Sequence, residues 1–276
     1  MNASQAAAHS SFDGARARSR LGLGRLGRHA AAAAAAVLLL GGCATAGGPT
    51  RAASPSDPFE PMNRAIYSFN DAFDRAVAKP VAQAYDDVMP QTFRHIIGSV
   101  FSNAADAWTA VNQLLQGKPT YALSDLTRVV INSTVGLAGM ADIASEIGLE
   151  KHQEDFGQTL GRWGVPAGPY LVLPFLGPSS LRDAPAWGVD AWFDPLNTIN
   201  AASQRNAAWG LRLVETRAGL LRAEGVMDGA ALDRYSFLRD GYLQRRYNQV
   251  HDGAPPPPSY DDEDDDEADA PAPAGK

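Results

Sequence analysis

One stretch limits the possible folds more than any other. From Arg94 to Gln116, Ile97, Phe101, Ala104, Trp108, Val111 and Leu115 recur at steps of three or four, the period of one helix face. Gly117 and Pro119 follow in the order that stops a helix. Asn103, Asp106, Asn112 and Gln113 stand inside the run. A transmembrane span would have to hold those groups at the bilayer centre, so the segment reads as an amphipathic helix that does not cross a membrane.

Comparable patterns flank it. Pro58 and Pro61 open a helix over 63–77, where Ile66, Phe69, Phe73 and Val77 share a face and Arg64, Asn70, Asp71 and Asp74 lie off it. Pro80 is expected to end that helix. Thr120 is expected to cap a helix running to Ser133, with Leu123, Leu126, Val130 and Thr134 together on one side. The β-branched run Val129-Val130-Ile131 keeps a strand in competition there. Val135 to Ala141 is almost wholly apolar, with Gly136 and Gly139 inside. It reads either as a mobile or membrane-facing hairpin or as a buried loop. The four prolines between Val165 and Pro178 forbid a long helix and leave Tyr170 to Leu173, Phe175 and Leu176 without regular period. Trp187, Trp192 and Phe193 suit a membrane–water boundary or a core equally well. Further helices are expected over 207–223 and 232–250, and no internal repeat is present.

The 276 residues, 45% of them hydrophobic, suffice for one or two domains with a real core. The net charge of −7 is unevenly spread. Residues 1–42 hold five Arg and one Asp, and residues 254–276 hold eight acidic residues and one Lys. The body between has no basic stripe, which argues against a nucleic-acid partner. Cys43 is the single cysteine, so no disulfide can form within the chain.

Its setting explains that cysteine. A basic segment from Arg16 to Arg28 precedes an unbroken apolar run, Ala30 to Leu40. The run is too short to span a bilayer and fits the apolar region of a signal peptide. Leu40-Gly41-Gly42-Cys43 then resembles the lipobox of bacterial lipoproteins. The resemblance implies cleavage before Cys43 and covalent acyl chains on it, each buried methylene adding about 0.8 kcal/mol of membrane affinity. Ala44 rather than Asp after the cysteine implies, by the same resemblance, sorting to the outer membrane.

Catalytic motifs are missing. From Cys43 onward no H-E-x-x-H, C-x-x-C, G-x-S-x-G, S-x-x-K, Walker A or G-x-G-x-x-G pattern occurs, so neither an enzyme nor a metal site is expected. Adjacent Glu154 and Asp155 read as a solvated surface pair, and His152 beside them as a surface residue.

Several separated motifs resemble one family. Asp57-Pro58-Phe59-Glu60-Pro61-Met62-Asn63-Arg64 with Phe69-Asn70 is similar to the opening signature of the MlaA (VacJ) lipoproteins. Glu154 to Gly161, Trp163-Gly164-Val165, Gly168-Pro169-Tyr170, Leu173-Pro174, Gly177-Pro178-Ser179 and Arg182-Asp183 resemble its middle signature. Tyr235 and Tyr242 to Arg246 fit its closing pattern. The likeness covers about 57–250.

That resemblance implies an all-α fold, a ring-shaped arrangement of amphipathic helices with a central channel. With the leader read above and a tail too charged to fold alone, neither of which it covers, it gives a lipoprotein signal peptide (1–42), a lipidated flexible tether (43–57), a helical domain (58–250) and a disordered Pro-rich, acidic tail (251–276). It also implies a site in the periplasm-facing inner leaflet of the outer membrane, beside a trimeric porin. Phospholipid misplaced in the outer leaflet would pass through the channel to a soluble periplasmic carrier and on to an inner-membrane ABC transporter. Asn63, Arg64, Asn70 and Asp71 are candidates to line the headgroup path. Gly136 and Gly139 are candidate hinges of a gating hairpin. The competing expectation is a structural lipoprotein that tethers or assembles porins without conducting lipid.

Overall fold

The computed structural model describes residues 56–230 and 233–256. Cys43, the expected signal peptide, nearly all of the tether and most of the acidic tail lie outside the described residues. The chain divides into two compact units, Met1–Ala53 with Glu60–Met62, and Ser54–Phe59 with Asn63–Lys276. Of the first, only Glu60–Met62 is described; the architecture below is that of the second.

Helix α1 (Glu60–Phe73) runs through a π-helical turn (Asp74–Ala78) into α2 (Lys79–Val88). Pro80 therefore does not end the helix as expected. The Lys79 amide donates five residues back, to the Asp74 carbonyl. This wider turn lets the proline enter at the first turn of α2, where its missing N–H costs nothing.

Helix α3 (Gln91–Leu115) starts behind Pro90 and stops at Gly117, whose φ is 77°. There the Lys118 amide donates to the Gln113 carbonyl at 2.9 Å and the Gly117 amide to that of Leu114 at 3.0 Å. These are the paired bonds of a left-handed helix cap. Pro119 opens α4 (Pro119–Thr134) at once. Thr120 lies inside α4 and Lys118 takes the capping position, because Pro119 already fits the first helical turn. The strand alternative falls with it, since 129–131 are helical.

Two short helices follow, α5 (Ile143–Glu146) and α6 (Phe156–Arg162). Each is capped by an aspartate, Asp142 and Asp155, whose side chain accepts a backbone amide three residues on. Strands β1 (Tyr170–Leu173) and β2 (Gly177–Ser180) pair antiparallel, Tyr170 opposite Ser180 and Leu173 opposite Gly177. Helices α7 (Asp183–Phe193), α8 (Ala202–Ala230) and α9 (Arg234–Val250) complete the described part, with a 3₁₀ turn (Pro195–Thr198) before α8. The fold is helical as expected, with one small hairpin added.

The apolar core is small. Tyr170, Val172 and Tyr235 form its centre, and Ile66, Tyr67, Tyr242 and Leu243 pack on it. Its rings meet edge to face, Tyr67–Tyr235 at 5.7 Å and Tyr170–Tyr242 at 5.9 Å, the arrangement that ring quadrupoles favour.

Elsewhere the interior is polar. On α3 the buried stripe is Asn103, Asp106, Thr109, Ala110, Asn112 and Gln113. On α4 it is Ala122, Asp125, Arg128 and Asn132. Val111, Leu114 and Leu115 on α3 and Leu123, Leu126 and Val130 on α4 are exposed instead. The apolar residues of α4 share a face, as their spacing predicts, but that face points outward, as does the end of the α3 face at Val111 and Leu115, while Ile97, Phe101, Ala104 and Trp108 before them are half-buried. The two helices pack on each other through their polar sides.

Candidate functional site

Arg128 fixes the polar seam between α3 and α4. It is 0% exposed, and a buried guanidinium is tolerable only when its donors are met. Nη2 reaches both oxygens of Asp142 at 2.9 and 3.0 Å. Nη1 donates to the Leu149 carbonyl at 2.6 Å and the Ser145 hydroxyl at 3.1 Å, and Nε to Asp106 at 3.4 Å. Asp106 is also paired with Lys151. Burial still holds its carboxyl above the ordinary range, against the pull of Lys151 and Arg128. Asp142 behaves oppositely. Burial pushes it up, but bonds from Ser145 and Asn132 and the Arg128 charge outweigh that and bring it to about 2.

The seam continues into the Glu154–Gly161 motif. Thr159 donates to Asn112 at 2.8 Å, and Gln116 donates to Glu154 at 2.9 Å. Lys118 pairs with Glu154 at 3.4 Å. Glu154 and Asp155 are thus not the solvated surface pair their polarity suggested, because each has partners from distant helices. His152 likewise sits 3.0 Å from the buried Asp125.

The apolar loop 135–141 closes the α4 end of this seam. Leu137, Ala138 and Gly139 have φ of 54°, 58° and 82°, three successive left-handed residues of which two are not glycine. Such backbone costs about 1–2 kcal/mol per non-glycine residue and persists only where its surroundings impose it. Here the Gly139 amide donates to Asn132 at 2.7 Å and the Ala138 amide to Ser133 at 3.0 Å. Val135, Leu137 and Met140 are exposed at the tip. Gly136 and Gly139 are not free hinge positions. A Cβ on Gly136 would lie 2.3 Å from the Ala141 carbonyl, and one on Gly139 2.8 Å from the Asn103 amide. Both glycines serve close approach.

The candidate headgroup residues on α1 turn mostly to protein partners. Asn63 is fully buried. Its amide donates to Asp57 at 2.8 Å and to the Tyr170 carbonyl at 3.0 Å, and accepts from the Val172 amide at 2.9 Å. Two turns on, Asn70 repeats the device, donating to the Leu173 carbonyl at 2.9 Å and accepting from the Phe175 amide at 2.8 Å. The two asparagines hold the hairpin against α1. For Asn63 this corrects the expectation, because it has no surface to offer a ligand. Arg64 pairs with Asp233 at 2.7 Å and lies over the Tyr235 ring at 4.3 Å, and Asp71 pairs with Arg75 at 2.8 Å.

A second ionic network joins α6, α7 and α9. Arg246 bridges Asp155 and Asp183, at 2.6 and 2.9 Å. Asp183 also accepts from Arg182 Nε at 2.8 Å and the Tyr242 hydroxyl at 2.7 Å. Burial works against these carboxylates, but the Arg246 bonds hold both below their usual range. Asp183 and Arg246 stand in the motif strings quoted above, whereas Asp142 follows the apolar run 135–141 with no signal of its own. For Arg128 the signal is its place three residues after Asp125 and four before Asn132, one polar face at helical spacing.

The outward surface is rich in large apolar side chains. Phe69 and Phe73 stack edge-on against Phe175, both at 5.1 Å, and all three are exposed. Trp192 is 79% exposed at the end of α7. No helix of the described residues is long and apolar enough to cross a membrane. Among the described residues no group of three His, Cys, Asp or Glu side chains could hold a metal ion.

Known proteins match this chain over its helical body. A family profile described as MlaA lipoprotein matches residues 55–249. The intermembrane phospholipid transport system lipoprotein MlaA of Escherichia coli (strain K12) is 34% identical over 208 residues, covering 74% of this chain and 81% of that protein. Its namesake from Haemophilus influenzae is 30% identical over 217 residues, covering 77% and 86%. A solved structure reported as the structural basis for maintenance of bacterial outer membrane lipid asymmetry superposes with a TM-score of 0.63 at 31% identity. It covers 71% of this chain and 99% of its own.

Proposed function

This chain belongs to the MlaA lipoprotein family, and on that premise we propose that it removes misplaced phospholipid from the outer leaflet of the outer membrane, acting by binding and passage rather than by catalysis. The observation that carries the reading is the inverted helix pair, polar between α3 and α4 and apolar outside. A lipid headgroup in hydrocarbon lacks partners for its charges, at a cost of several kcal/mol. A protein with apolar flanks in the acyl layer and polar groups inward lowers that cost without reacting with the lipid.

In this reading the acyl chains on Cys43 hold the protein on the inner leaflet of the outer membrane, beside a trimeric porin. The helices form a ring around a channel. Partly buried Arg64, Asn70 and Asp71 contribute to its wall. The loop 135–141 gates it as one preformed tip that pivots at its ends. A soluble periplasmic carrier takes the lipid onward to an inner-membrane ABC transporter.

Deleting the protein alone tests this. Phospholipid should appear on the cell surface, detected as products of an outer-leaflet lipase, and should disappear when the wild-type chain is restored. A surface unchanged by deletion would favour porin tethering over lipid removal.

A further inference from the structure

A cleft of about 160 Å³ lies between the hairpin, α6, α7 and α9. That is room for a small polar group and not for a lipid tail. Ser179, Asp183, Trp187, Asp190, Tyr242 and Arg246 contribute to its lining, with Leu173 and Leu176 on its apolar side. The backbone of Gly157 presses against its ionic floor, where a Cβ would fall 2.5 Å from Asp183 and 2.6 Å from Arg246.

The basic residue of this lining has four of its five N–H donors engaged. Arg246 gives Nη1 and Nη2 to Asp155 and Nε to Asp183. An approaching phosphate would therefore meet three carboxylates, Asp155, Asp183 and Asp190, with the guanidinium already engaged. Asp190 differs from the other two. Its Oδ1 accepts from Trp108 Nε1 at 2.7 Å and from the Phe156 amide at 2.9 Å. Its Oδ2 accepts no hydrogen bond from the described residues, and the half-buried Asp190 lines the cleft. Three residues before it, Trp187 is about half exposed at the same cleft. A carboxylate oxygen with no donor of its own, in one cleft with an indole ring, is the chemistry that recognises an ammonium, by charge-assisted N–H donation and by cation–π attraction.

We propose that this cleft receives the primary ammonium of an ethanolamine-type phospholipid headgroup, with Asp190 Oδ2 as acceptor and Trp187 as the aromatic wall. The inference rests on the lipid-removal reading and adds headgroup choice to it. A lipid with a glycerol headgroup brings only an uncompensated phosphate and is disfavoured.

The test uses the full-length acylated protein in detergent. It compares binding of short-chain phosphatidylethanolamine with phosphatidylglycerol of the same chains. The wild type should prefer the ethanolamine lipid about tenfold. D190N keeps the oxygen that Trp108 and Phe156 donate to, and so keeps the fold, but should reduce the preference to about twofold or less. W187L should reduce it as well, in a protein with unaltered Asp190. Equal affinity of the wild type for the two lipids, or a preference unchanged in D190N, overturns the inference while leaving lipid removal intact. Free ethanolamine bound as tightly as its lipid would assign the cleft to a soluble amine and overturn it too. Failure to bind either lipid contradicts the lipid-removal reading itself, and the inference falls with it.

Discussion

Single residues in this protein do their work by satisfying other groups. Asn63 pairs with backbone 107 and 109 positions away, at Tyr170 and Val172. Asn63→Ala would leave that carbonyl and that amide buried without partners. We expect a loss of about 2–4 kcal/mol in stability, read by denaturant titration in detergent; a variant as stable as wild type would refute the clamp. Asp142 makes a pH prediction. Its folded pKa of about 2 lies below the ordinary value of 3.8. A depressed carboxylate contributes stability above its unfolded pKa and loses it as the pH falls through the folded one. Stability should therefore drop between about pH 4 and pH 2, and D142N should drop less over that window. An identical acid profile in D142N would show that the Arg128 network does not depend on that charge.

At the scale of elements, the lesson concerns which faces were legible. Spacing placed Leu123, Leu126 and Val130 together correctly, because period alone groups residues on a helix. It could not say whether that face meets a core or something else, since a hydrophobic pattern carries no record of its surroundings. The α3 residues that speak against a transmembrane span, Asn103, Asp106, Asn112 and Gln113, are its buried side. The family motifs were legible as strings, but their partners were not. Nothing local couples Asn112 to Thr159 or Asp155 to Arg246. The hairpin escaped notice because its strands have four residues each amid prolines. The loop 135–141 was legible as apolar and glycine-bearing, while its left-handed path was not. Gly136→Ala drives a Cβ into two carbonyls and should destabilise the protein by more than about 1 kcal/mol. Gly117→Ala, with open space around it but a φ of 77°, should lose only about 1 kcal/mol. Equal losses in thermal melts of the two variants would deny that the loop is tightly packed.

For the whole molecule, the polar seam and the apolar exterior form a single arrangement. A soluble protein would gain by turning Leu123, Val130, Phe175 and Trp192 inward, at about 25 cal/mol per Å² removed from water. Leaving them outside is favourable only where the surroundings are also apolar. That account is tested most directly by nitroxide labels at Leu123 and Val130 of the protein in outer-membrane vesicles, comparing accessibility to oxygen with accessibility to a water-soluble nickel chelate. The account predicts oxygen-favoured relaxation at both sites, as for labels in the acyl layer. Nickel-favoured relaxation at both would mean that the apolar face meets water and would contradict it.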